Sequence, residues 1–553
     1  MFFVIAAALA AEADPALTVA TDEIQRVMSA LEDSDDAPYF LSYGIVERHT
    51  LRILGTHGAL GHSTSSHGRV ADVDVRVGSP QLDNTHKIRD ASWFSEEPRR
   101  SIELPLDGDP EATRIILWRE TDDAWQAAVR RLSKVRANQA VKVERDDTSD
   151  DFSKVEAVVD LEDPVALEVD VEAWEDLVRE LSAVFLQYPD VHDSNVELVA
   201  ETRLLMYTSS EGTRLQHPRE RYRVSIWAYT VAEDGMELQV YDYVDSTDPE
   251  GLPDREALLA SAHDAAQRVV DLRNAPLMEP YTGPAILKGR ASGVFFHEIF
   301  GHRMEGHRQK DEDEGQTFTD MVGEPILPTF LDVVDDPTRR TYGEVDLNGF
   351  YPYDDEGVAA EAVHLVDDGV LQTFLTSRMP IEHVSNSNGH GRRQPGNAVV
   401  ARQGNLIVEA SETVSYERLR ELLLEELERQ DKPYGLVVED ITGGFTLTGR
   451  VIPNSFNVRP VAVWRVYADG RPDELVRGGD LIGTPLTTFS RIVAAGDDPE
   501  VFNGVCGAES GWVPVSAVAP SLLIEEIEVQ RKEKSNDRPP LSDPPGVVEG
   551  EDS

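Results

Sequence analysis

Cysteine is almost absent from this chain of 553 residues, since Cys506 is the only one. A single thiol excludes an intramolecular disulfide, and it excludes a zinc or iron-sulfur site built from a cluster of cysteines. Cys506 is therefore either an ordinary buried residue or a lone functional group.

Basic residues are scarce as well. The chain has 52 Lys and Arg against 102 Asp and Glu, which gives a formal net charge of -50. A nucleic acid or an anionic membrane surface needs a basic patch on the protein that binds it. The charge therefore argues against either as the main partner.

Long apolar runs are missing beyond the N-terminus. No later stretch reaches the roughly 18 apolar residues of a spanning helix, so we expect no membrane span. Residues 1–13 form an apolar run with the small residues Ala8 and Ala10, which predicts a signal segment and an exported or periplasmic protein. A cytoplasmic protein with an apolar N-terminus is the alternative. Residues 531–553 are polar and Pro-rich, and they predict a disordered tail.

The hydrophobic pattern between these ends mixes helices and strands, and the length predicts two domains. We expect an α+β protein with an N-terminal α/β domain over residues 14–245. A C-terminal domain over residues 246–530 is rich in antiparallel β-sheet and carries the helix with the motif described next. Alternation over residues 69–78 predicts a half-buried antiparallel strand, and Asp234-Gly235 predicts a hairpin turn.

The segment GVFFHEIFGHRMEGH, residues 293–307, contains a candidate metal site. A His followed by Glu and then by a second His on an apolar helix is how metal-dependent hydrolases place two ligands and a general base. His297 and His302 are five residues apart, which on a regular α-helix leaves their rings about 140° apart. A π-bulge would return both to one face, and Gly301 would ease the distortion.

A catalytic zinc needs a third protein ligand. The residues themselves offer two candidates. His307 continues the five-residue step, whereas Cys506 lies far away in a loop-like stretch between Gly504 and Gly507.

Several further segments, in consistent order from about residue 220 to 530, resemble the TldD/PmbA family of zinc metallopeptidases. The matching elements are HEIFGH at residues 297–302, DDEG at 354–357, GRR at 391–393, DITGGFTLT at 440–448, LVRGGDLIGTPL at 475–486 and the NGVCG loop at 503–507.

The resemblance implies that His297, His302 and Cys506 bind one Zn²⁺ per active subunit and that Glu298 is the general base. It favours Cys506 over His307 as the third ligand. It also implies a homodimer, or a heterodimer with a related subunit, that acts on extended or unfolded peptides.

These residues predict a peptide-bond hydrolase in which zinc lowers the pKa of a water molecule and Glu298 takes its proton. A non-catalytic peptide-binding subunit on the same fold is the alternative. Arg392, Arg393 and Arg402 are candidates for binding a peptide carboxylate or backbone carbonyls, although structural ion pairs are the favoured explanation in so acidic a chain.

Overall fold

A computed structural model of the chain describes residues 11–88, 100–139, 148–310, 314, 317–446, 456–483 and 488–532. The core of the predicted signal segment, residues 1–10, lies outside the described residues, and so does the predicted tail from residue 533 onward.

The described helices and strands alternate irregularly along the chain. The helices are α1 Pro15–Leu31, α2 Pro110–Gln139, α3 Val171–Ala183, α4 Arg255–Asn274, α5 Gly289–Phe296, α6 His302–Met304 and α7 Tyr416–Gln430. The strands are β1 Pro38–Thr56, β2 Ala59–Ser79, β3 Leu82–Asp83, β4 Ile102–Leu104, β5 Val159–Leu161, β6 Asp193–Ser209, β7 Arg214–Val231, β8 Glu237–Ser246, β9 Tyr281–Leu287, β10 Leu331–Asp335, β11 Thr341–Tyr342, β12 Val345–Asp346, β13 Val363–Asp367, β14 Val370–Leu371, β15 Gly391–Arg392, β16 Val400–Ala401, β17 Asn405–Ala410, β18 Tyr434–Thr446, β19 Phe456–Tyr467, β20 Glu474–Val476, β21 Gly479–Gly483, β22 Ile492–Ala495, β23 Glu500–Ala508, β24 Gly511–Ala519 and β25 Leu522–Arg531.

The N-terminal sheet has the strand order β3-β2-β1-β6-β7-β5, with β4 paired to β2 and β8 paired to β7. Long hairpins build it, because tight turns join β1 to β2, β6 to β7 and β7 to β8. Gly58 and Gly235 adopt the positive φ that two of these turns require. The α+β class is confirmed. The expectation of an α/β domain here is wrong in detail, because the long strands pair antiparallel and a parallel pairing joins β5 to β7.

One face of this sheet carries its hydrophobic core. On β1, Leu41, Tyr43 and Ile45 pack with α1 and α2, while Leu51 and Ile53 pack with α3 and α4. These residues have odd numbers and so share a face, since side chains alternate along a strand. Both pairs of helices therefore cover the same face, and the opposite face is turned toward the rest of the protein.

Helix α4 follows the domain boundary that the sequence predicts at residue 245. Asp254 caps it by accepting a hydrogen bond from the backbone N–H of Ala257. Its buried face, which includes Leu258 and Val269, lies in the same core as β6 and β7. The helix thus packs on the N-terminal sheet.

The C-terminal half contains two further sheets. The second sheet has the order β14-β13-β10-β17-β24-β23. The third sheet has the order β18-β9-β25-β21-β19-β20, and β18 also pairs with β19, so its strands close into a ring. Most pairings are antiparallel, with β17–β24 and β18–β9 parallel.

Helix α5 lies between the second and third sheets, packed against β23 and β24 on one side and β18 on the other. Glycines allow this close approach, because a Cβ on Gly289 would lie 2.8 Å from the carbonyl oxygen of Ala519. The helix is buried along its whole length. This placement fixes the position of the motif that follows it.

None of the helices in the described ranges is both long enough and apolar enough to cross a membrane.

Candidate metal centre

The motif begins where α5 ends. Residues His297–Gly301 form a π-helical turn between α5 and α6, as the five-residue spacing predicts. The backbone N–H of His302 donates to the carbonyl of His297, which is the wider i→i+5 bond of a π-helix. The two imidazole rings consequently lie next to one another in an edge-to-face arrangement, with centroids 5.1 Å apart.

Gly301 ends this turn, and the side chain of Gln403 fills the space beside it. A Cβ at this position would lie 1.8 Å from the side-chain oxygen of Gln403. The amide nitrogen of Gln403 donates to the carbonyl of His297 at 3.3 Å. The absence of a side chain at Gly301 thus lets Gln403 bond the backbone at the first histidine.

Cys506 completes the group from a different element. It lies on β23 opposite Val513 of β24, and its Sγ is 3.3 Å from Nε2 of His302, a residue 204 positions away in sequence. One nitrogen of each histidine and the thiol sulfur all lie within 4.8 Å of one another. All three side chains are buried.

His307, the other candidate ligand, points elsewhere. Its Nε2 contacts the carboxylate of Glu509. It does not join the cluster of His297, His302 and Cys506. The geometry therefore favours Cys506 of the two candidates.

The electrostatics of the cluster favour a thiolate. Burial raises the pKa of Cys506, but the neighbouring imidazoles of His302 and His297 outweigh it and hold that pKa well below its usual range. Burial has the opposite effect on His302 and lowers its pKa. The charges of Cys506 and Glu305 outweigh burial and raise the pKa of His302 well above its usual range. Cys506 is thus favoured as a thiolate, which is the form of cysteine that binds a metal.

Glu305 orients His302. Its Oε2 lies 3.1 Å from Nδ1 of His302, which leaves Nε2 directed toward Cys506. The same carboxylate accepts hydrogen bonds from Arg308 and Arg402. A carboxylate behind a histidine fixes the tautomer and the ring orientation of a metal ligand.

Sequence reasoning missed the role of Glu305. The available signal was its position three residues after His302, which puts two helical side chains on one face. Its partners could not be read in this way, because Arg402 lies 97 residues further along the chain.

We expect Glu305→Gln to weaken zinc binding by roughly 10- to 100-fold, because the amide loses the negative charge that holds the His302 ring. Competition with a chromophoric zinc chelator measures the affinity. Glu421→Gln, an exposed substitution on α7, is the control that should bind zinc like the unmodified protein. An unchanged affinity in Glu305→Gln would contradict the orienting role.

Arg402 is placed differently from the sequence-based expectation of a substrate contact. It is fully buried, and its guanidinium donates to Glu305, to the hydroxyl of Ser510 and to the carbonyls of Gly511 and Cys506. No face of this side chain is open to a peptide. Arg402 instead ties the strand that bears Cys506 to the carboxylate behind His302.

Arg392 and Arg393 lie at the border of a large cavity. Arg392 donates to the carbonyl of Gln403 at 2.6 Å, and Arg393 lies 3.5 Å from the carboxylate of Asp72. Both line the cavity described below. Their predicted role in binding substrate stays a prediction.

Glu298 lies beside the cluster. Its carboxylate is 4.0 Å from Nε2 of His302, on the side of the ring that faces Cys506. The side chain keeps 12% of its surface exposed. Glu298 is therefore close to the donor atoms and still within reach of water.

The chemistry of the donor set fits zinc. Two imidazoles and one thiolate are ligands that zinc prefers, whereas magnesium and calcium prefer oxygen. Nδ1 of His297 is buried, and no residue in the described ranges offers it a hydrogen-bond partner. A buried ring nitrogen without a partner is costly in a protein interior, and the cost falls if one nitrogen of this ring binds a metal.

Part of the chain matches a known protein family. The sequence pattern described as the PmbA/TldA metallopeptidase C-terminal domain matches residues 280–531. A protein named Metalloprotease from Archaeoglobus fulgidus is 29% identical over 395 residues, which cover 71% of this chain and 80% of that protein. The Zinc metalloprotease TldD homolog of Saccharolobus solfataricus is 24% identical over 247 residues, covering 44% of this chain and 51% of that protein.

The fold is also similar to that of a solved structure. TldE from Thermococcus kodakarensis superimposes with a TM-score of 0.57 and 13% identity, covering 92% of this chain and 100% of that one. At this identity the likeness concerns the fold alone. The matched domain and the named relatives identify residues 280–531 as a C-terminal domain of the TldD/PmbA family of metallopeptidases.

Proposed function

We propose that this protein is a zinc-dependent peptidase that hydrolyses peptide bonds in extended or unfolded peptides. One observation carries the proposal: His297, His302 and Cys506 bring their donor atoms within 4.8 Å of one another in a buried position. The names of the relatives, Metalloprotease and Zinc metalloprotease TldD homolog, support the same chemistry.

The three side chains would hold one Zn²⁺, which when bound supplies Lewis acidity toward water and toward a peptide carbonyl. Glu298 is the proposed general base, because its carboxylate lies beside the donor atoms and keeps some exposure. It takes a proton from the attacking water and returns it to the departing amine. Glu305 and Arg402 act as positioning residues that keep His302 and Cys506 in place.

A non-catalytic peptide-binding subunit is the alternative function. Such a subunit has no need for a metal site, and nothing in peptide binding explains a buried thiol between two imidazoles with a carboxylate beside them. The intact cluster therefore favours the enzyme. A homodimer, or a heterodimer with a related subunit, stays our proposal for the assembly.

Metal analysis combined with digestion of an unfolded peptide mixture tests the proposal. We expect about one zinc per chain, cleavage of the mixture, and loss of cleavage on treatment with a chelator, because removal of zinc removes the Lewis acid. Cleavage should return when zinc is added back. Stoichiometric zinc without cleavage would instead favour either the binding subunit or a zinc hydrolase on the same fold that does not act on peptide bonds.

A further inference from the structure

A cavity of about 420 Å³ lies between the uncovered face of the N-terminal sheet and the C-terminal half of the chain. Its walls include alternate residues of β1, β6 and β7 on one side and residues 347–355, 392–395 and 513–514 on the other. It shares one strand pair with the metal centre, because Val513 lines the cavity and lies directly opposite Cys506 in the β23–β24 pair. Directly opposed residues have their side chains on the same face of a sheet.

The strand register places arginines in a row across the sheet wall of this cavity. Arg48 on β1 is opposite Arg203 on β6, which is in turn opposite Arg219 on β7. All three line the cavity. Like charges opposite one another destabilise a sheet, so the row requires nearby negative charge.

The protein supplies that charge to only part of the row. Glu201 pairs with Arg48 at 3.3 Å and also with Arg203. Arg219 donates to the carbonyl of Phe350, its guanidinium lies over the Phe350 ring, and its Nε is buried without an acceptor. Among the residues that the structure describes, Arg219 has no carboxylate within ion-pair distance.

The opposite wall of the cavity has a second arginine, Arg392, whose guanidinium also lacks a carboxylate partner among the described residues. Arg392 lies over the ring of Tyr351 at 4.7 Å and donates to a backbone carbonyl. Arg219 lies 6.0 Å from the same Tyr351 ring. Burial, followed by the charge of Arg392, lowers the pKa of Arg219 to about 9, and the charge of Asp355 offsets this only in part.

Two acidic residues of the cavity, Asp354 and Asp355, accept hydrogen bonds from the backbone. Asp354 accepts hydrogen bonds from the backbone of Glu356, Val358 and Gly391. Asp355 accepts one from the backbone N–H of Arg393 at 2.7 Å. Neither forms an ion pair with Arg219 or Arg392 in the described part of the chain.

We propose that Arg219 and Arg392 form an anion subsite that binds a carboxylate of the peptide substrate, close to the metal centre. The proposal rests on the proposed peptidase function and names a substrate class for it: peptides with a C-terminal carboxylate or an acidic side chain near the scissile bond. A carboxylate accepts paired hydrogen bonds from guanidinium groups and supplies the charge that the row lacks. Arg392 also connects the subsite to the metal centre, since it bonds Gln403, whose side chain bonds the backbone of His297.

The test measures peptide binding, so it does not depend on catalysis. Fluorescence anisotropy is recorded on full-length Glu298→Gln protein with four labelled peptides: a free acid, the same peptide with a C-terminal amide, and an amidated pair with Glu or Gln at one internal position. We expect one carboxylate form to bind at least about tenfold tighter than its neutral match. The free-acid pair identifies a C-terminal carboxylate and the Glu/Gln pair an acidic side chain.

Variants of the subsite give the decisive comparison. Adding Arg219→Gln should abolish the preference for the carboxylate form, whereas Arg219→Lys should retain part of it because the charge remains. Arg48→Gln is the matched control that should keep the preference, since Glu201 already neutralises Arg48. Thermal unfolding of each variant shows whether it folds. If Arg219→Gln does not fold, the comparison between Arg219→Lys and the parent protein tests the subsite.

Two results would overturn the subsite. One is equal affinity for all four peptides. The other is an unchanged preference for the carboxylate form in both Arg219 variants. Either result leaves the peptidase proposal intact if the unmodified protein binds zinc and cleaves peptides, so the two failures are distinguishable.

Discussion

Replacement of Glu298 by glutamine is expected to leave zinc bound and to reduce peptide hydrolysis by roughly 100- to 10,000-fold. The amide has nearly the same size as the carboxylate and cannot accept the proton of the attacking water. Zinc should remain because the donor atoms belong to His297, His302 and Cys506, and Glu298 is not among them. Initial rates on an unfolded peptide, together with zinc content by mass spectrometry, measure both effects.

The control for this variant is Glu421→Gln, which makes the same chemical change on the exposed surface of α7. It should hydrolyse the peptide at the rate of the unmodified protein. Full activity in Glu298→Gln would reject Glu298 as the general base. Loss of zinc in that variant would show that the carboxylate supports the metal site itself.

The local part of the metal centre is predictable from sequence. The five-residue spacing of His297 and His302 requires a π-helical turn if both rings are to face one ion, and the structure contains that turn. Gly301 was recognised as a residue that eases the distortion, but the reason for it is a long-range contact with Gln403. Helical periodicity thus identifies the motif but not its surroundings.

The rest of the centre depends on contacts between distant segments. Cys506 is a candidate because it is the one thiol, yet only the packing of α5 against β23 and β24 puts its sulfur beside His302. Arg402 was expected to meet substrate, but it is buried behind Cys506 and Glu305. Spacing in sequence carries no information on such contacts.

The fold, too, is predictable only where the signal is local in sequence. Alternation over residues 69–78 predicts a half-buried antiparallel strand. The antiparallel strand is confirmed as part of β2, but its charged face is buried as well, at Asp72 and Arg76. The hairpin at Asp234-Gly235 is confirmed as well, between β7 and β8. The arginine row of Arg48, Arg203 and Arg219 could not be predicted, because it depends on the register of the β6–β7 hairpin and on the pairing of β6 with β1, which is distant in sequence.

Replacement of Cys506 by alanine is expected to abolish stoichiometric zinc binding and, with it, peptide hydrolysis. Two imidazoles would remain, and a catalytic zinc site needs three protein ligands. Zinc should also cease to stabilise the fold. A ligand present at 100 times its Kd adds about 2.7 kcal/mol to the free energy of unfolding. This stabilisation is lost when the protein no longer binds zinc. Zinc content after dialysis and thermal unfolding with and without added zinc measure the two effects.

His307→Ala is the matched control, because His307 and Cys506 are the rival third ligands. The structure directs His307 to Glu509 and away from the cluster, so this variant should retain zinc and its stabilising effect. Circular dichroism should show that both variants fold, since alanine leaves only a small gap beside Val513 and Val515. The reverse pattern, with zinc lost in His307→Ala and kept in Cys506→Ala, would move the third ligand to His307 and leave the buried thiol without a role in metal binding.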